Sequence, residues 1–492
     1  MNRSAAMKMI RSLYSFLVLF AVCGWIVLLT GGCMVGPDYH SPSPGAPSGW
    51  NGVAEVPAAQ PFVPTVGSAE LTLWWKQFND PMLTQLVEDA LKANLDVKLA
   101  VARLRQARAA QGIAVAALWP TLSASTEYMR ETGVPINGKV GSAQNFYQAG
   151  FDAGWEIDVF GGQRRNIESA QASTLAAVEG VSVAQVSLVA EVALDYIQLR
   201  GYQQEIVIAR KNLKSQQNTA LITRQRASTG LLSQLDIANA DANVATTEAT
   251  IPVFETSAKQ SIYALSVLLA RPPADLLELL APSGNIPGVP ERIPAGLPSD
   301  LLRRRADIRQ TEAQLHAATA LIGVATADLF PKFSLTGTLG LQSNQLSMLA
   351  SSAGRIYSGG PSVTWQIFQG GAIVSNIRMQ EALRDQSFIT YQETVLGAFQ
   401  DVENALVAFN KEQEHYKSLK DSVDANSKAA DLSLQLYTEG LLDFLNVLVA
   451  QRSLYTAENA LVQSSQNIST DLISLYKALG GGWETYPADT AR

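Results

Sequence analysis

The chain has 492 residues, a formal net charge of −7, 47% hydrophobic residues and 16% charged ones. An acidic chain so poor in charge lacks the basic footprint that a nucleic-acid partner needs, and its length would ordinarily divide into two to four domains. Its 2 cysteines, Cys23 and Cys33, exclude a disulfide framework and a cysteine metal site.

In chain order, Arg3, Lys8 and Arg11 precede an apolar run from Leu13 to Leu29, which stops at Thr30-Gly31-Gly32-Cys33. Residues 1–32 read as a lipoprotein signal peptide, with Cys33 the first residue of the mature chain and its thiol the lipidation site. An uncleaved anchor helix is the alternative. Thr30 stands where lipid-modified bacterial exports usually carry an aliphatic residue, and Met34 follows the cysteine in place of the aspartate that marks inner-membrane retention. That favours an outer-membrane destination. Beyond the signal no apolar segment reads as a membrane helix, so a membrane crossing has to be a closed barrel.

Residues 33–81 read as an extended N-terminal segment, of which 34–70 is rich in Pro, Gly, Ser and Ala and without a core of its own. A first repeat, 82–280, starts with a helical pattern from Leu83 to about Ala117, its stripe formed by Leu83, Leu86, Val87, Ala90 and Leu91. A β-hairpin over 121–159 and a long helical hairpin over 164–270 follow, turning at Thr229-Gly230, with Pro252 expected to kink the return helix. A Pro/Gly linker, 281–298, leads to a second repeat, 299–482. It holds a helix from Asp300 to Leu329, a β-hairpin over 332–368 and a helical hairpin over 372–479. A tail, 483–492, closes the chain. Trp155 and Trp365 are 210 positions apart, and the same offset carries Gly230-Leu231-Leu232 onto Gly440-Leu441-Leu442. Phe388, Tyr391, Val395, Phe399, Val402, Leu406 and Phe409 recur at steps of three and four, a coiled-coil seam.

The hairpins alternate. Tyr147, Ala149, Phe151, Ala153, Trp155 and Ile157 share one face, and Gln148, Gly150, Asp152, Gly154, Glu156 and Asp158 the other. Tyr357 to Ile367 repeats the pattern with Ser358, Gly360, Ser362, Thr364 and Gln366 on the polar face. Such strands have one face in grease and one in water, and in a membrane barrel the polar face looks inward. Asp152, Glu156 and Asp158 then form lumen acids that favour cations, while Tyr147, Trp155, Tyr357 and Trp365 suit an interfacial belt. Four strands cannot close a barrel, so copies must share one.

Several segments carry a family resemblance: Cys33 followed by Val35-Gly36-Pro37-Asp38-Tyr39, then Trp74-Trp75 with Phe78-Asn79-Asp80-Pro81. Leu297 to Arg305 with Asp307-Ile308, and Phe330-Pro331 ahead of Ser334-Leu335-Thr336-Gly337, complete it. The chain resembles the outer membrane factor (TolC-like) family of tripartite efflux systems, and within it the NodT-type outer membrane lipoproteins. Ala306 stands where members commonly carry proline, which costs only a helix-start preference.

The resemblance implies a mainly α fold with a membrane β-barrel: a homotrimer whose twelve-stranded barrel continues as a periplasmic α-helical barrel. It implies no catalysis and no cofactor. The partners implied are a periplasmic adaptor, an inner-membrane pump and outer-membrane lipid, and the function is a passive outer-membrane exit channel for small toxic compounds such as drugs. An exit duct for type I secretion or metal-ion efflux remains open, as does, from another class, a structural periplasmic coiled-coil lipoprotein or adaptor, which would not need two lipid-facing β-hairpins.

By the same resemblance, adaptor docking falls on the tips Thr229, Gly230, Leu231, Leu232, Glu439, Gly440 and Leu441, and a gate on Tyr437 and Asp236. Leu442, Asn446 and Val449 stand where the family often places an arginine and an inner acidic ring, implying a gate of weaker polarity. Ordinary helix capping is the competing reading of the tips. The 3 histidines, His40, His316 and His415, are scattered, so no metal or general-base cluster is expected. Arg303, Arg304 and Arg305 read as a helix start in preference to a nucleic-acid patch.

Overall fold

A computed structural model of the chain describes residues 34–43, 45–51, 62–63, 71–132, 143–229, 233–290, 293–294 and 298–483. The expected signal peptide and Cys33 lie outside the described residues, as do Gly230, Leu231 and Leu232. Two compact units emerge, and each draws segments from both sequence repeats: one holds residues up to Pro42, Arg105–Ala176 and Thr311–Tyr391, the other Ser43–Leu104, Ala177–Gln310 and Gln392–Arg492.

The first unit is built on an antiparallel sheet of β2 (Thr121–Thr132), β3 (Ala143–Ile157), β5 (Lys332–Ser343) and β6 (Arg355–Thr364), in that spatial order. The hairpins are joined through β3 and β5, where Phe151 faces Leu339 and Trp155 faces Leu335. Within the chain β2 and β6 are the edges. The second hairpin ends earlier than its alternation suggested: β6 stops at Thr364, so Trp365 and Ile367 lie past it.

Residues 34–41 dock on this unit as a strap. Val35 N–H donates to the Phe160 carbonyl at 3.1 Å. Arg165, only 2% exposed, donates to the Val35 carbonyl at 3.1 Å and pairs with Asp38 at 2.6 Å and Glu168 at 2.8 Å. The Arg165 guanidinium beside Asp38 holds that carboxyl below its ordinary value. Tyr39 stacks on His316 at 4.2 Å, and its hydroxyl donates to Glu312 at 3.2 Å.

The second unit carries the main core. Asp80 caps α1 (Pro81–Ala93), its carboxylate accepting from Met82 N–H at 2.8 Å and Leu83 N–H at 3.0 Å, with Pro81 at the first helical position. Leu83, Leu86, Val87, Ala90 and Leu91 are buried, as their spacing requires. The helical pattern to Ala117 is two helices instead of one. Asn94 ends α1 and its side chain caps α2 (Leu95–Ala116), accepting from Asp96 and Val97 N–H at 2.8 and 3.1 Å. The N-terminal segment joins this shared core: Trp50, Trp74, Trp75 and Phe78 are buried in it, Trp74–Phe78 as a 3-10 turn. A two-residue parallel pair joins β1 (Phe62–Val63) to β4 (Ile293–Pro294).

Four long helices follow the repeats: α3 (Gly162–Ser228, 67 residues) with α4 (Gln234–Leu268), and α8 (Ala372–Glu439, 68 residues) with α9 (Phe444–Ala478). At 1.5 Å per residue, α3 and α8 are each about 100 Å long. Between α4 and α8 the chain forms α5 (Leu277–Leu280), α6 (Pro298–Arg304) and α7 (Ala306–Ala327). The helix α4 runs through Pro252 without a break.

The expectation that no segment beyond the signal has the make-up of a membrane helix does not hold for α3. By length and composition α3 is apolar enough to cross a membrane. Its apolar residues Leu188, Val189, Val192, Ala193, Ile197 and Leu199 are instead buried in the protein core with Leu406, Phe409, Leu472 and Ile473. Packing within the protein accounts for that composition. The coiled-coil seam of α8 is also buried at Tyr391, Val395, Val402, Leu406 and Phe409.

The three arginines sit at a helix break, with Arg303 and Arg304 ending α6 and Arg305 lying between helices. Arg305 pairs with Asp307 at 2.7 Å and Asp401 at 3.0 Å. Ala306 opens α7, the position where a proline would also fit.

Candidate channel wall and helix-hairpin tips

The register sorts the sheet into two unlike faces. Because directly opposed residues share a face, Leu122, Phe151, Trp155, Leu335, Leu339, Tyr357 and Val363 fall on one side. Serines and threonines dominate the other, with Asp152 and Glu156 among them. The strands are 12, 15, 12 and 10 residues long, enough to cross a hydrocarbon layer at a barrel tilt. Asp152 accepts from Ser125 at 3.2 Å and Thr338 at 2.9 Å, which fixes its carboxylate on the polar face.

Asp158 is not on that face. The strand ends at Ile157, and the Asp158 carboxylate takes Gln163 N–H at 3.1 Å and Arg164 N–H at 3.0 Å, closing the first turn of α3. Two other carboxylates, which sequence reasoning missed, do share the polar face: Glu127 opposite Gln148 and Glu131 opposite Gln144. Their parity with Ser123 and Ser125 was the available signal. Lys332 shares the face at its far end and is paired with Asp328 at 2.9 Å.

The two tryptophans expected in a belt have backbone partners. The Trp155 indole N–H donates to the Leu118 carbonyl at 2.8 Å, and that of Trp365 to the Leu329 carbonyl at 3.0 Å. Both rings stay accessible, at 36% and 55%. Tyr147 packs on Tyr128 at 5.0 Å.

At the tips, α8 ends in a Schellman motif: Gly440 N–H reaches the Tyr437 carbonyl at 3.0 Å and Leu441 N–H the Leu436 carbonyl at 2.9 Å. Gly440 sits at φ 82°, a left-handed conformation that favours glycine. Tyr437 is 1% exposed and packs with Ala220, Ala240, Phe444, Val447 and Leu448. Its hydroxyl donates to Thr223 Oγ1 at 3.2 Å. Asp236 does not join Tyr437. It closes a capping box with Ser233, accepting from Ser233 N–H at 3.1 Å while its own N–H reaches Ser233 Oγ at 3.3 Å.

Among the other tip residues, the Thr229 hydroxyl donates to the Arg226 carbonyl at 2.7 Å, and Glu439 accepts from Gln435 at 3.2 Å. Asn446 N–H bonds the Asp443 carbonyl at 3.2 Å and Leu442 is half-buried, so neither contributes a charge. Leu441, by contrast, is 71% exposed. Sequence reasoning also missed Arg226, which lies over the Tyr437 ring with its Cζ 4.8 Å from the ring centre and donates to the Tyr437 carbonyl. Among the described residues no group of three His, Cys, Asp or Glu is arranged to hold a metal ion. His316 and His415 pair with Glu168 and Glu412.

The family profile described as outer membrane efflux protein matches residues 86–271 and 297–481, the two repeats in turn. The chain belongs to the outer membrane efflux protein family. It is 34% identical to Nodulation protein T of Rhizobium leguminosarum bv. viciae over 472 residues, 96% of this chain and 94% of that protein. It is 31% identical to the probable efflux pump outer membrane protein TtgC of Pseudomonas putida, over 92% of this chain and 94% of that one. The solved outer-membrane channel OprN matches with a TM-score of 0.85 and 36% identity, covering 92% of this chain and 100% of that chain. As an outer membrane efflux protein the chain is the outer-membrane channel component of a tripartite efflux system, with a β domain for the membrane and long periplasmic helices.

Proposed function

We propose that three copies of this chain close one twelve-stranded barrel and one helical barrel, forming a passive exit duct that does no chemistry on its cargo. The observation that carries this reading is the four-stranded sheet with two unlike faces and with β2 and β6 as edges inside the chain. Edges cannot face lipid unpaired, and four strands fall short of the eight with which closed membrane barrels begin. A structural tether would have no use for such a sheet.

The cargo we propose is small toxic compounds, drugs among them, delivered by an inner-membrane pump through a periplasmic adaptor. The relative named as an efflux pump outer membrane protein supports this class. The adaptor docks on the tips Thr229 to Leu232 and Glu439 to Leu441, where the exposed Leu441 and Leu235 offer apolar contact. Tyr437 and its surroundings form the gate, Asp236 shapes the first tip through its capping box, and Cys33 carries the lipid anchor.

Two measurements test the reading. Sedimentation of the purified protein in detergent gives the mass of three chains, and a stable monomer would refute it. Deleting the gene sensitises cells to a panel of toxic compounds, and a complementing copy restores resistance. Unchanged sensitivity across drugs, with loss of a secreted polypeptide or of metal tolerance, would move the cargo to another class.

A further inference from the structure

The gate reading above leaves open what ties one hairpin tip to the other, and the aspartate expected to do so is occupied elsewhere. Asp236 spends its carboxylate on Ser233. The residue that reaches across is Arg226, in the last turn of α3. Its guanidinium donates to the Tyr437 carbonyl in the last turn of α8 and covers the Tyr437 ring at 4.8 Å. A Cβ added at Gly440 would stand 3.3 Å from Nη2 of Arg226, so glycine there also makes room for the guanidinium. One side chain thus engages the ring, the carbonyl and the turn that follows.

The neighbouring bonds extend this tie along the bundle. The Tyr437 hydroxyl donates to Thr223, whose own hydroxyl donates to the Thr219 carbonyl at 2.9 Å, and Gln451 from α9 donates to Thr219 Oγ1 at 2.9 Å. All of these atoms belong to the buried or half-buried seam between the first helical hairpin and the second. Arg226 stands at its end. Arg224, two residues earlier, pairs with Asp241, whereas Arg226 pairs with no carboxylate among the described residues.

We propose that Arg226 is the latch of the periplasmic gate, holding the α3 tip to the α8 tip within one subunit; this rests on the channel reading given above. Its acceptors are a neutral carbonyl and an aromatic face, which hold a guanidinium less tightly than a carboxylate would. Such a tie keeps the tips together at rest and is released by a docking partner without first breaking an ion pair. Arg226 is a positioning residue. It sets where Tyr437 and the Gly440 turn stand and makes no contact with cargo in this scheme.

The test is planar-bilayer recording of the purified channel as wild type, Arg226→Ala, Arg226→Lys and, as a neighbouring control, Arg224→Ala. Arg226→Ala raises the ratio of open to closed time about tenfold, the scale of a lost hydrogen bond to a charged group. Arg226→Lys keeps the charge but not the planar face and gives a smaller rise, while Arg224→Ala, which removes only the exposed pair with Asp241, stays near wild type. Heat-resistance of the assembled protein, measured alongside, separates a latch from general weakening, since a merely structural arginine would lower it without changing open time. Wild-type gating in Arg226→Ala overturns the proposal. Should that variant fail to assemble, Arg226→Lys decides: a raised open time supports the latch, and wild-type behaviour overturns it. Absence of any current from the wild type and every variant would instead sink the channel reading itself.

Discussion

Trp155 and Trp365, one in each repeat, make the same hydrogen bond: each indole N–H donates to a backbone carbonyl, Leu118 or Leu329, in the turn that precedes its own β-hairpin. Each tryptophan therefore fastens the far end of a hairpin to its beginning. Trp155→Phe or Trp365→Phe keeps the apolar body and removes only the donor, so each should cost about 1 kcal/mol. Thermal unfolding of the assembled protein in detergent checks this. An unchanged midpoint in both variants would show that the bonds contribute nothing and that the rings act only as an interfacial belt.

A second relationship between the repeats concerns helix ends. Ala270 and Gly480 close α4 and α9 with the same Schellman pattern, Ala270 N–H to Val267 and Gly480 N–H to Lys477, at φ 54° and 70°. Alanine in a left-handed conformation carries a strain of about 1 kcal/mol that glycine escapes. Ala270→Gly should accordingly stabilise the protein slightly, after the entropy lost to a freer unfolded chain is subtracted. Gly480→Ala should destabilise by more, since its Cβ would meet Arg305 Cγ at 3.0 Å. Opposite signs in chemical denaturation are the expected result.

Glu205 supplies a pH prediction. It is 9% exposed, its Oε2 has no hydrogen-bond partner, and burial pushes its carboxyl up to about 7. The folded protein thus holds a proton that the unfolded chain gives up near 4.5. Stability falls as pH rises from about 4.5 through 7 and is flat above that. Glu205→Gln removes the titration, so the variant gains stability over wild type at pH 8, by up to roughly 3 kcal/mol, and none at pH 4. Equal pH dependence of the two unfolding midpoints would count against this account. Asp195 and Asp471, each raised to about 6 by burial with Glu191 or Glu412 nearby, act in the same direction.

The polar face of the sheet carries Glu127, Glu131, Asp152 and Glu156, against Lys332, which is paired with Asp328. Reversal potentials in a salt gradient should show cation preference. Replacing all four acids by their amides should bring the potential toward zero, whereas changing Asp158 alone should leave selectivity intact and weaken the start of α3. Anion preference in the wild type would contradict the assignment.

Much of this was legible in the chain because period-two and period-3.6 patterns report directly on burial. The two sheet faces, the buried stripe from Leu83 to Leu91 and the seam from Tyr391 to Phe409 all follow their spacing. What escaped depends on where a pattern stops or on residues far away in sequence. Asp158 keeps the parity of Asp152 and Glu156, but the strand had already ended, and parity carries no information about an end. Asn94 breaks a helix without glycine or proline because its side chain caps the next one and also donates to the Leu268 carbonyl at 2.9 Å, a partner 174 positions on. Arg226 reaches a carbonyl 211 positions away, and no local signal distinguishes it from the other arginines of α3.

The order β2, β3, β5, β6 bears on how the protein is made as well as on what it does. A single newly exported chain can place its greasy sheet face neither in water, where it would aggregate, nor in lipid, where the backbone of β2 and β6 would find no partner. Neither solvent suits a lone copy. If three copies share one barrel, as proposed above, subunit association has to be coupled to membrane insertion, since only a neighbouring copy can pair the backbone of β2 and β6.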